Sequence, residues 1–227
     1  MLLEVIATNV NEAKIAFEHG ADRIELITGI TEGGLTPSYS LIKEVVQAVD
    51  IPVHVMVRPH HYSFCYDDEE IQIICEDIEI IRRLGASGIV IGVLTGERKI
   101  DEERLKTFIC LAGDLDITFH RAFDEVSDQE EALQTLLKYP EVNRILTSGG
   151  KKSALEAVPQ ITKLVSLARD THLSIIAGNG LTVNSLEAFV QHTEVQEVHL
   201  GSGVRCGGKS TERMDPKKIS EISTMII

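Results

Sequence analysis

GIVIGVL, at residues 88–94, is a short and almost wholly apolar stretch with the length of one β-strand. Such stretches are typical of strands buried on both faces of a parallel sheet, because helices cover the sheet from both sides. Seven similar stretches rich in Val, Ile and Leu occur along the rest of the chain. The sequence therefore predicts eight strands, at Leu2–Ile6, Arg23–Ile27, Pro52–Val57, Gly88–Val93, Asp116–Phe119, Asn143–Thr147, Leu173–Ala177 and Val195–Leu200.

Amphipathic stretches separate these predicted strands and carry the start signals of helices. In a capping box, a first side chain accepts from a free backbone N–H and an acid three residues later bonds back. Between residues 71 and 81, isoleucines recur at helical spacing with charged residues between them. Four pairs have the spacing of a capping box: Asn9 with Glu12, Asp67 with Glu70, Ser127 with Glu130, and Ser153 with Glu156.

Strict alternation of strand and helix leaves two architectures, a closed barrel or an open doubly wound sheet. The first strand–helix turn, ATNVNE at residues 7–12, has no GxGxxG, and no GxxxxGK[ST] occurs anywhere in the sequence. Eight units in 227 residues favour closure, which leaves no edge strand. We predict one (β/α)8 TIM barrel domain over residues 1–227, with residues 205–227 as a C-terminal extension that is partly mobile.

The charge and the cysteines limit the partners and the compartment. The net charge of −13 argues against a nucleic-acid partner and against docking on anionic membranes, both of which demand a basic surface. No apolar run approaches the roughly 18–20 residues of a membrane span, and the N-terminus lacks the features of a signal peptide. The four cysteines are scattered, which favours reduced thiols. We therefore expect a cytoplasmic protein.

Several stretches are too particular for a generic barrel, above all EGGLTPS at residues 32–38 and TFHRAFD at residues 118–124. They resemble the CutC family of copper homeostasis proteins, in order and over nearly the whole chain to about residue 204. The resemblance implies a (β/α)8 barrel, a role in intracellular copper handling, and direct binding of copper. The stretches that carry it are residues 20–43, 51–70, 116–125, 144–150, 177–180 and 197–203.

The chain departs from the family at two positions that bear on copper. Many relatives carry a cysteine late in the first strand and another late in the second, where this chain has Ile6 and Ile27. Thiolates are the natural ligands of Cu(I), so the most obvious ligand pair is missing. Cys65 keeps its place in the motif, within SFCYDDEE at residues 63–70. We expect weak copper binding compared with a dedicated thiolate site.

Polar residues at the carboxyl ends of barrel strands line the mouth where ligands bind. In this chain such residues end or follow five of the eight predicted strands. One interpretation is a functional cluster around one pocket; the alternative is a set of salt bridges and hydrogen-bonded histidines that fill the barrel. The cluster consists of Glu25, His54, Arg58, His120 and His199, with Arg121 and Ser148 beside it.

Two residues of the cluster have a predicted chemical role. Arg58 is the candidate for holding an anion, because its planar guanidinium grips a carboxylate or phosphate through two bonds. A structural partner such as Glu25 or Asp124 is the alternative. His120 is the candidate general acid or base, together with Glu25, because imidazole ordinarily titrates near neutral pH. A metal ligand or a satisfied core histidine are alternatives for His120.

Two sets of loop residues are further candidates. His60, His61 and Cys65 form a loop rich in nitrogen and sulfur that suits copper or zinc, although an adjacent histidine pair is more often simply solvated. Glycines after the last two strands would let the backbone approach a phosphate or another anion, or would only form tight turns. They are Gly178, Gly180, Gly201 and Gly203.

The sequence supports two functions from different classes. The first is a cytoplasmic copper homeostasis protein of the CutC type that binds copper directly or affects copper tolerance indirectly. The alternative is a barrel enzyme for a small anionic or phosphorylated metabolite, with His120 and Glu25 as acid and base and Arg58 as anion clamp. The partner is accordingly a copper ion or a small anion. The sequence leaves the oligomeric state open, with a homodimer as one alternative.

Overall fold

The computed structural model describes residues 1–225, and it shows the predicted (β/α)8 barrel. Each strand pairs in parallel with the next, and the eighth pairs with the first, so the sheet has no edge. The strands are β1 (Leu2–Ala7), β2 (Arg23–Leu26), β3 (Val53–Met56), β4 (Gly88–Ile91), β5 (Asp116–Phe119), β6 (Val142–Thr147), β7 (Ser174–Gly178) and β8 (Glu197–Leu200).

A helix follows every strand and covers the outside of the barrel. The helices are α1 (Val10–Glu18), α2 (Tyr39–Ala48), α3 (Asp68–Arg83), α4 (Glu102–Ala112), α5 (Gln129–Leu136), α6 (Val158–Ala168), α7 (Val183–Thr193) and α8 (Pro216–Met225). Helix α8 contacts both α7 and α1. The predicted C-terminal extension therefore supplies the eighth helix of the barrel, and residues 226–227 lie outside the described part of the chain.

The helix starts follow local chemistry closely. Asp67 and Glu70 form the predicted capping box of α3, and the Asn9 side chain accepts from the backbone N–H of Glu12. Helix α5 begins one residue later than its predicted start, because Asp128 rather than Ser127 accepts the free N–H groups. Ser153 caps a short 3-10 turn at Ala154–Glu156, and α6 begins only afterwards.

The strands divide the interior into two regions of opposite polarity. Alternate side chains such as Val5, Ile24 and Val198 are fully buried between strands and helices, where they form one continuous apolar core. The side chains between them face the barrel axis, because successive residues of a strand point to opposite faces. Many of these inward residues are ionisable, so the inside of the barrel is polar.

A chain of ion pairs crosses this polar interior. Arg23 lies 2.5 Å from Glu4 and 2.7 Å from Glu197, Arg144 lies 3.0 Å from Glu197, and Asp116 lies 2.9 Å from Arg144. Each of these three carboxylates thus contacts at least one guanidinium, which compensates for the loss of hydration. The predicted alternative of salt bridges inside the barrel therefore applies to this layer, which lies beneath the mouth.

Candidate functional site

A cavity of about 910 Å³ opens at the carboxyl ends of the strands. Its wall contains four of the five residues that were expected to share one pocket: Glu25, Arg58, His120 and His199. The fifth, His54, is fully buried and is not among the lining residues, and the same holds for Ser148, which was predicted beside the cluster. The strand-end pattern in the sequence therefore predicted correctly that these four side chains line one cavity, and their functional role stays a prediction.

Ser148 lies behind the cavity wall because it belongs to a network around Asp124. Its hydroxyl oxygen is 2.8 Å from Oδ2 of Asp124 and accepts from Nη2 of Arg121 at 3.0 Å. The Asp124 carboxylate also accepts from the backbone N–H groups of Ser148 and Gly150 and forms an ion pair with Arg121 at 2.8 Å. This network holds the loop after β6 and positions the Arg121 guanidinium at the cavity.

The predicted glycines differ in what they do. Gly180, Gly201 and Gly203 line the cavity, whereas Gly178 lies beneath it in β7. A Cβ atom at Gly178 would meet Cδ2 of His199 at 3.0 Å, so this glycine makes room for the histidine ring. The sequence grouped all four as one anion-binding set, and the structure separates Gly178 from the other three.

Glu25 and His199 line the floor of the cavity, and Glu4 contacts His199 from outside the lining. Nδ1 of His199 is 2.7 Å from Oε1 of Glu4, and Nε2 of His199 is 3.7 Å from Oε2 of Glu25. The remaining oxygen of Glu25, Oε1, is buried and has no hydrogen-bond partner within residues 1–225. Glu25 thus presents an unsatisfied carboxylate oxygen in a cavity that a ligand can enter.

The electrostatics distribute the charge of this trio unequally. Burial raises the pKa of Glu25 to about 7, against the attraction of His199. Burial also disfavours a charged Glu4, but Arg23 and His199 hold the pKa of Glu4 far below its ordinary value. The Glu25 and Glu4 carboxylates outweigh burial and raise the pKa of His199. Glu4 is therefore a fixed carboxylate, and Glu25 is the carboxyl group that exchanges a proton near neutral pH.

The fit to copper can be tested on this donor set. Among the described residues, Glu4, Glu25 and His199 are the one group of three potential ligands whose atoms lie within 4.8 Å of one another. They offer nitrogen and oxygen, whereas Cu(I) prefers thiolates, and Glu4 is already held by Arg23 and His199. The trio does not fit Cu(I).

The loop predicted to bind metal has a different arrangement. The His60 ring stacks on Tyr62 at 3.7 Å between centroids, and its Nε2 lies 2.8 Å from Oε1 of Glu70. The Cys65 side chain is exposed. Within residues 1–225, His60, His61 and Cys65 do not form a three-ligand group of the spacing that a metal needs. The structure therefore does not bring the three together, and their role in metal binding stays a prediction.

Arg58 is held by main-chain carbonyls rather than by a carboxylate. Its guanidinium donates to the carbonyl oxygens of Glu32 at 3.1 Å, Gly34 at 3.3 Å and His61 at 2.8 Å. It also lies over the Phe64 ring, 4.5 Å from the centroid. Neither Glu25 nor Asp124, the carboxylates considered as its structural partners, contacts it. Its Nε is buried and has no hydrogen-bond partner in the described chain.

His120 does not titrate near neutral pH. It is buried, and burial together with the neighbouring Arg58 guanidinium lowers its pKa to about 3. Its Nδ1 accepts from the backbone N–H of Ala122 at 3.1 Å. The ordinary titration of imidazole was the basis for expecting a general acid or base here, and burial removes that basis.

Sequence reasoning did not single out the lysines of the cavity rim. Lys151 and Lys152 lie in the loop after β6, and Lys209 reaches the cavity from the segment between β8 and α8. The signal was present, because both stretches place lysine beside glycine, as GGKK at 149–152 and GGKS at 207–210. With Arg58 and Arg121, five basic side chains line the cavity, whose wall also contains the acidic Glu32, Asp124 and Glu125.

Fold and site together define a (β/α)8 barrel with a ligand cavity of polar floor and basic rim at the carboxyl ends of its strands. The CutC family profile matches residues 1–204, and the chain belongs to the CutC family. It is 42% identical over 206 residues to a CutC family protein of Pasteurella multocida, covering 90% of this chain and 84% of the relative. It is 40% identical over 210 residues to the human copper homeostasis protein cutC homolog, covering 92% and 74%.

Solved structures agree with this assignment. The copper homeostasis protein CutC of Streptococcus agalactiae superposes with a TM-score of 0.83 at 32% identity, covering 88% of this chain and 97% of that one. N-(5'-phosphoribosyl)anthranilate isomerase of Pyrococcus furiosus superposes with a TM-score of 0.63 at 17% identity, covering 100% and 98%. The second likeness concerns the barrel fold alone. No helix within residues 1–225 is both long and apolar enough to span a membrane.

Proposed function

We propose that this CutC family member is an enzyme that binds a small anionic metabolite at the barrel mouth and moves a proton with Glu25. The observation that carries the proposal is the unpartnered Oε1 of Glu25 on the floor of a cavity with a basic rim. A carboxyl group with a pKa of about 7 both takes and returns a proton at neutral pH. This combination is what a proton-transfer enzyme needs.

His199 and Glu4 support Glu25 in this proposal. The 2.7 Å contact between Glu4 and Nδ1 of His199 fixes the imidazole ring, so that Nε2 faces Glu25. Because Glu4 is itself held by Arg23, the ring rests on a chain of ion pairs that reaches through the barrel. A charged His199 stabilises ionised Glu25 and keeps its pKa from rising further. Glu25 thus remains able to release its proton.

The anion would bind at the rim, where charge and backbone donors coincide. Arg121, Lys151, Lys152 and Lys209 line the cavity. The backbone of Gly180, Ser202 and Gly203 also lines the cavity, and its N–H groups would donate to the anion. Guanidinium, ammonium and amide groups together bind phosphate or carboxylate in a site partly shielded from water. The Arg58 side chain lines the same cavity.

A role in copper homeostasis is proposed because the chain belongs to the CutC family. The human and Streptococcus agalactiae relatives are named copper homeostasis proteins, and we propose that this chain serves copper homeostasis through the reaction at its barrel mouth. Direct copper binding would fall to the exposed Cys65 rather than to the cavity. The four free cysteines are in keeping with a cytoplasmic location.

Calorimetric titration with inorganic phosphate tests the anion site. We expect the native chain to bind phosphate below about 1 mM, and Arg121→Gln to weaken binding about thirtyfold, the effect of losing one charge-assisted contact. Lys138→Ala is the matched control, because Lys138 pairs with Glu102 on the outside of the barrel. If the native chain binds neither phosphate nor sulfate below millimolar concentrations, the proposal loses its main support.

A further inference from the structure

His120 is a second buried group in the cavity, and the proposed function does not yet use it. Its Nδ1 accepts the backbone N–H of Ala122, so the lone pair of that nitrogen is engaged. A neutral imidazole with Nδ1 as acceptor carries its proton on Nε2. Nε2 is buried and has no partner anywhere in residues 1–225. His120 therefore presents one unsatisfied N–H donor in the wall of the cavity.

The surrounding side chains fix the ring in this orientation. Gly92 lies directly against it, and a Cβ atom at that position would come within 2.5 Å of Nδ1. The Phe64 ring packs at 4.9 Å between centroids and also carries the Arg58 guanidinium above it. Gly92 thus makes room for the histidine. A donor that is buried, oriented and left without an acceptor is matched to an acceptor on a ligand.

The charges near His120 favour a ligand atom that becomes negative. Arg58 is close enough to depress the pKa of His120, and Arg121 acts in the same direction. Because the pKa of His120 lies at about 3, the imidazole stays a neutral donor throughout the physiological range. Glu25 in the same cavity has a pKa of about 7. Two groups whose environments separate their pKa values in this way divide the roles of proton acceptor and hydrogen-bond donor.

We infer that Nε2–H of His120 binds a carbonyl oxygen, and that the substrate is a small anionic carbonyl compound with an acidic C–H beside that carbonyl. The inference rests on the proposed function, in which Glu25 takes the proton. It assigns the substrate class and a role for His120. The anionic end of the substrate lies at the basic rim, and the carbonyl lies against His120.

The step balances with groups that the cavity holds. The Glu25 carboxylate forms an O–H bond with the proton as the C–H bond breaks. The electron pair of that bond moves to the carbon–carbon bond next to the carbonyl, and the carbonyl π pair moves to its oxygen. Nε2–H of His120 and the nearby Arg58 guanidinium stabilise this enolate oxygen. Return of the proton from Glu25 to the same carbon restores the carbonyl compound or gives its epimer, without a further reactant.

The test compares inorganic phosphate with 2-phosphoglycolate, an anion that carries a planar carboxylate in the place of an enolate. We expect 2-phosphoglycolate to bind at least about tenfold more tightly than phosphate, and His120→Leu to remove most of that advantage while phosphate affinity stays unchanged. His120→Gln, which retains an N–H donor, restores much of it. His54→Gln is the matched control, because His54 is also buried but lies outside the cavity wall.

The outcomes separate the two proposals. Phosphate could bind while 2-phosphoglycolate binds no more tightly, or His120→Leu could leave the affinity difference unchanged. Either result would show that the role of His120 is wrong, while the anion site would be retained. If neither anion binds, both proposals fail. Nitrogen-15 NMR of the native chain gives a test that does not depend on variants: we expect a neutral His120 protonated on Nε2 from pH 5 to 8. A proton on Nδ1, or an imidazolium, would overturn the inference.

Discussion

Nε2 of His199 lies 3.7 Å from Oε2 of Glu25 at the floor of the barrel mouth. This separation is longer than a direct hydrogen bond, so the two groups influence each other mainly through charge. Because Glu4 holds the opposite nitrogen of the ring, His199 cannot turn away from Glu25 without losing a 2.7 Å contact. The result is a carboxyl group beside a fixed imidazole, with one oxygen still open to a ligand.

The raised pKa of Glu25 makes stability fall at high pH. The folded chain retains a proton on Glu25 that the unfolded chain releases, because the pKa of Glu25 is about 7 in the folded chain and an ordinary 4.5 in the unfolded chain. This contribution is complete below pH 4.5 and is lost as the pH rises through 7, by roughly 3 kcal/mol as an upper bound. Glu25→Gln should remove that decline in urea unfolding between pH 5 and 8. The exposed Glu44→Gln is the control, and parallel curves for native chain and Glu25→Gln would contradict the assignment.

Two buried histidines make stability fall at low pH. Burial lowers the pKa of His54 to about 4 and that of His120 to about 3 from an ordinary 6.5. Below pH 6.5 these two imidazoles bind protons in the unfolded chain but not in the folded chain. The free energy of unfolding therefore decreases as the pH falls from 6.5 towards 4. Each group contributes up to about 1.4 kcal/mol per pH unit in that window. In chemical unfolding, we expect the free energy of unfolding of His54→Gln to decrease less steeply with falling pH than that of the native chain. An unchanged slope would show that His54 is protonated in the folded chain.

Arg58 should matter for stability as well as for the ligand. Its guanidinium donates to three carbonyl groups in the loops after β2 and β3, and Arg58→Ala leaves all three without this partner. We expect a loss of about 3 kcal/mol in the free energy of unfolding, measured by chemical denaturation. Arg83→Ala, an exposed arginine on α3, should stay within about 0.5 kcal/mol of the native chain. Equal effects of the two variants would contradict the supporting role of Arg58.

The affinity for Cu(I) should depend on the available cysteine thiols. The native chain is expected to bind Cu(I) weakly and below one equivalent, chiefly through the exposed Cys65. Ile6 lies in β1, Ile27 directly follows the neighbouring β2, and both line the cavity, so Ile6→Cys with Ile27→Cys should create a tight thiolate site. Anaerobic competition with a chromogenic Cu(I) chelator measures both. A tight site in the native chain that survives Cys65→Ser would show that other ligands bind copper.

The fold and the place of the site could be predicted from the sequence because both depend on local patterns. Apolar runs such as residues 88–94 fix the strands, and Glu25 and His199 stand where strands end. Ser148 was misplaced because the loop that buries it depends on long-range bonds to Asp124. Lys209 was missed for a similar reason: the segment before α8 is anchored by Arg205 to Glu12, which is 193 positions away.

The chemistry of the site could not be predicted from residue types alone. His120 looked like a titrating imidazole, and only packing against Phe64 and the bond from Ala122 show a neutral donor. Glu25 looked like an ordinary carboxylate until its burial was known. Protonation states depend on the depth of burial and on neighbours from distant strands, and neither is encoded in spacing along the chain.

The most direct test of the central claim is the protonation of Glu25 itself. Carbon-13 NMR of the Glu25 side-chain carboxyl group, assigned by comparison with Glu25→Gln, follows this one residue from pH 4 to 9. The account predicts a midpoint near 7, and a higher midpoint when phosphate is bound, because a nearby anion disfavours the carboxylate. A midpoint at or below 4.5, with or without phosphate, would contradict the assignment of Glu25 as the group that moves the proton.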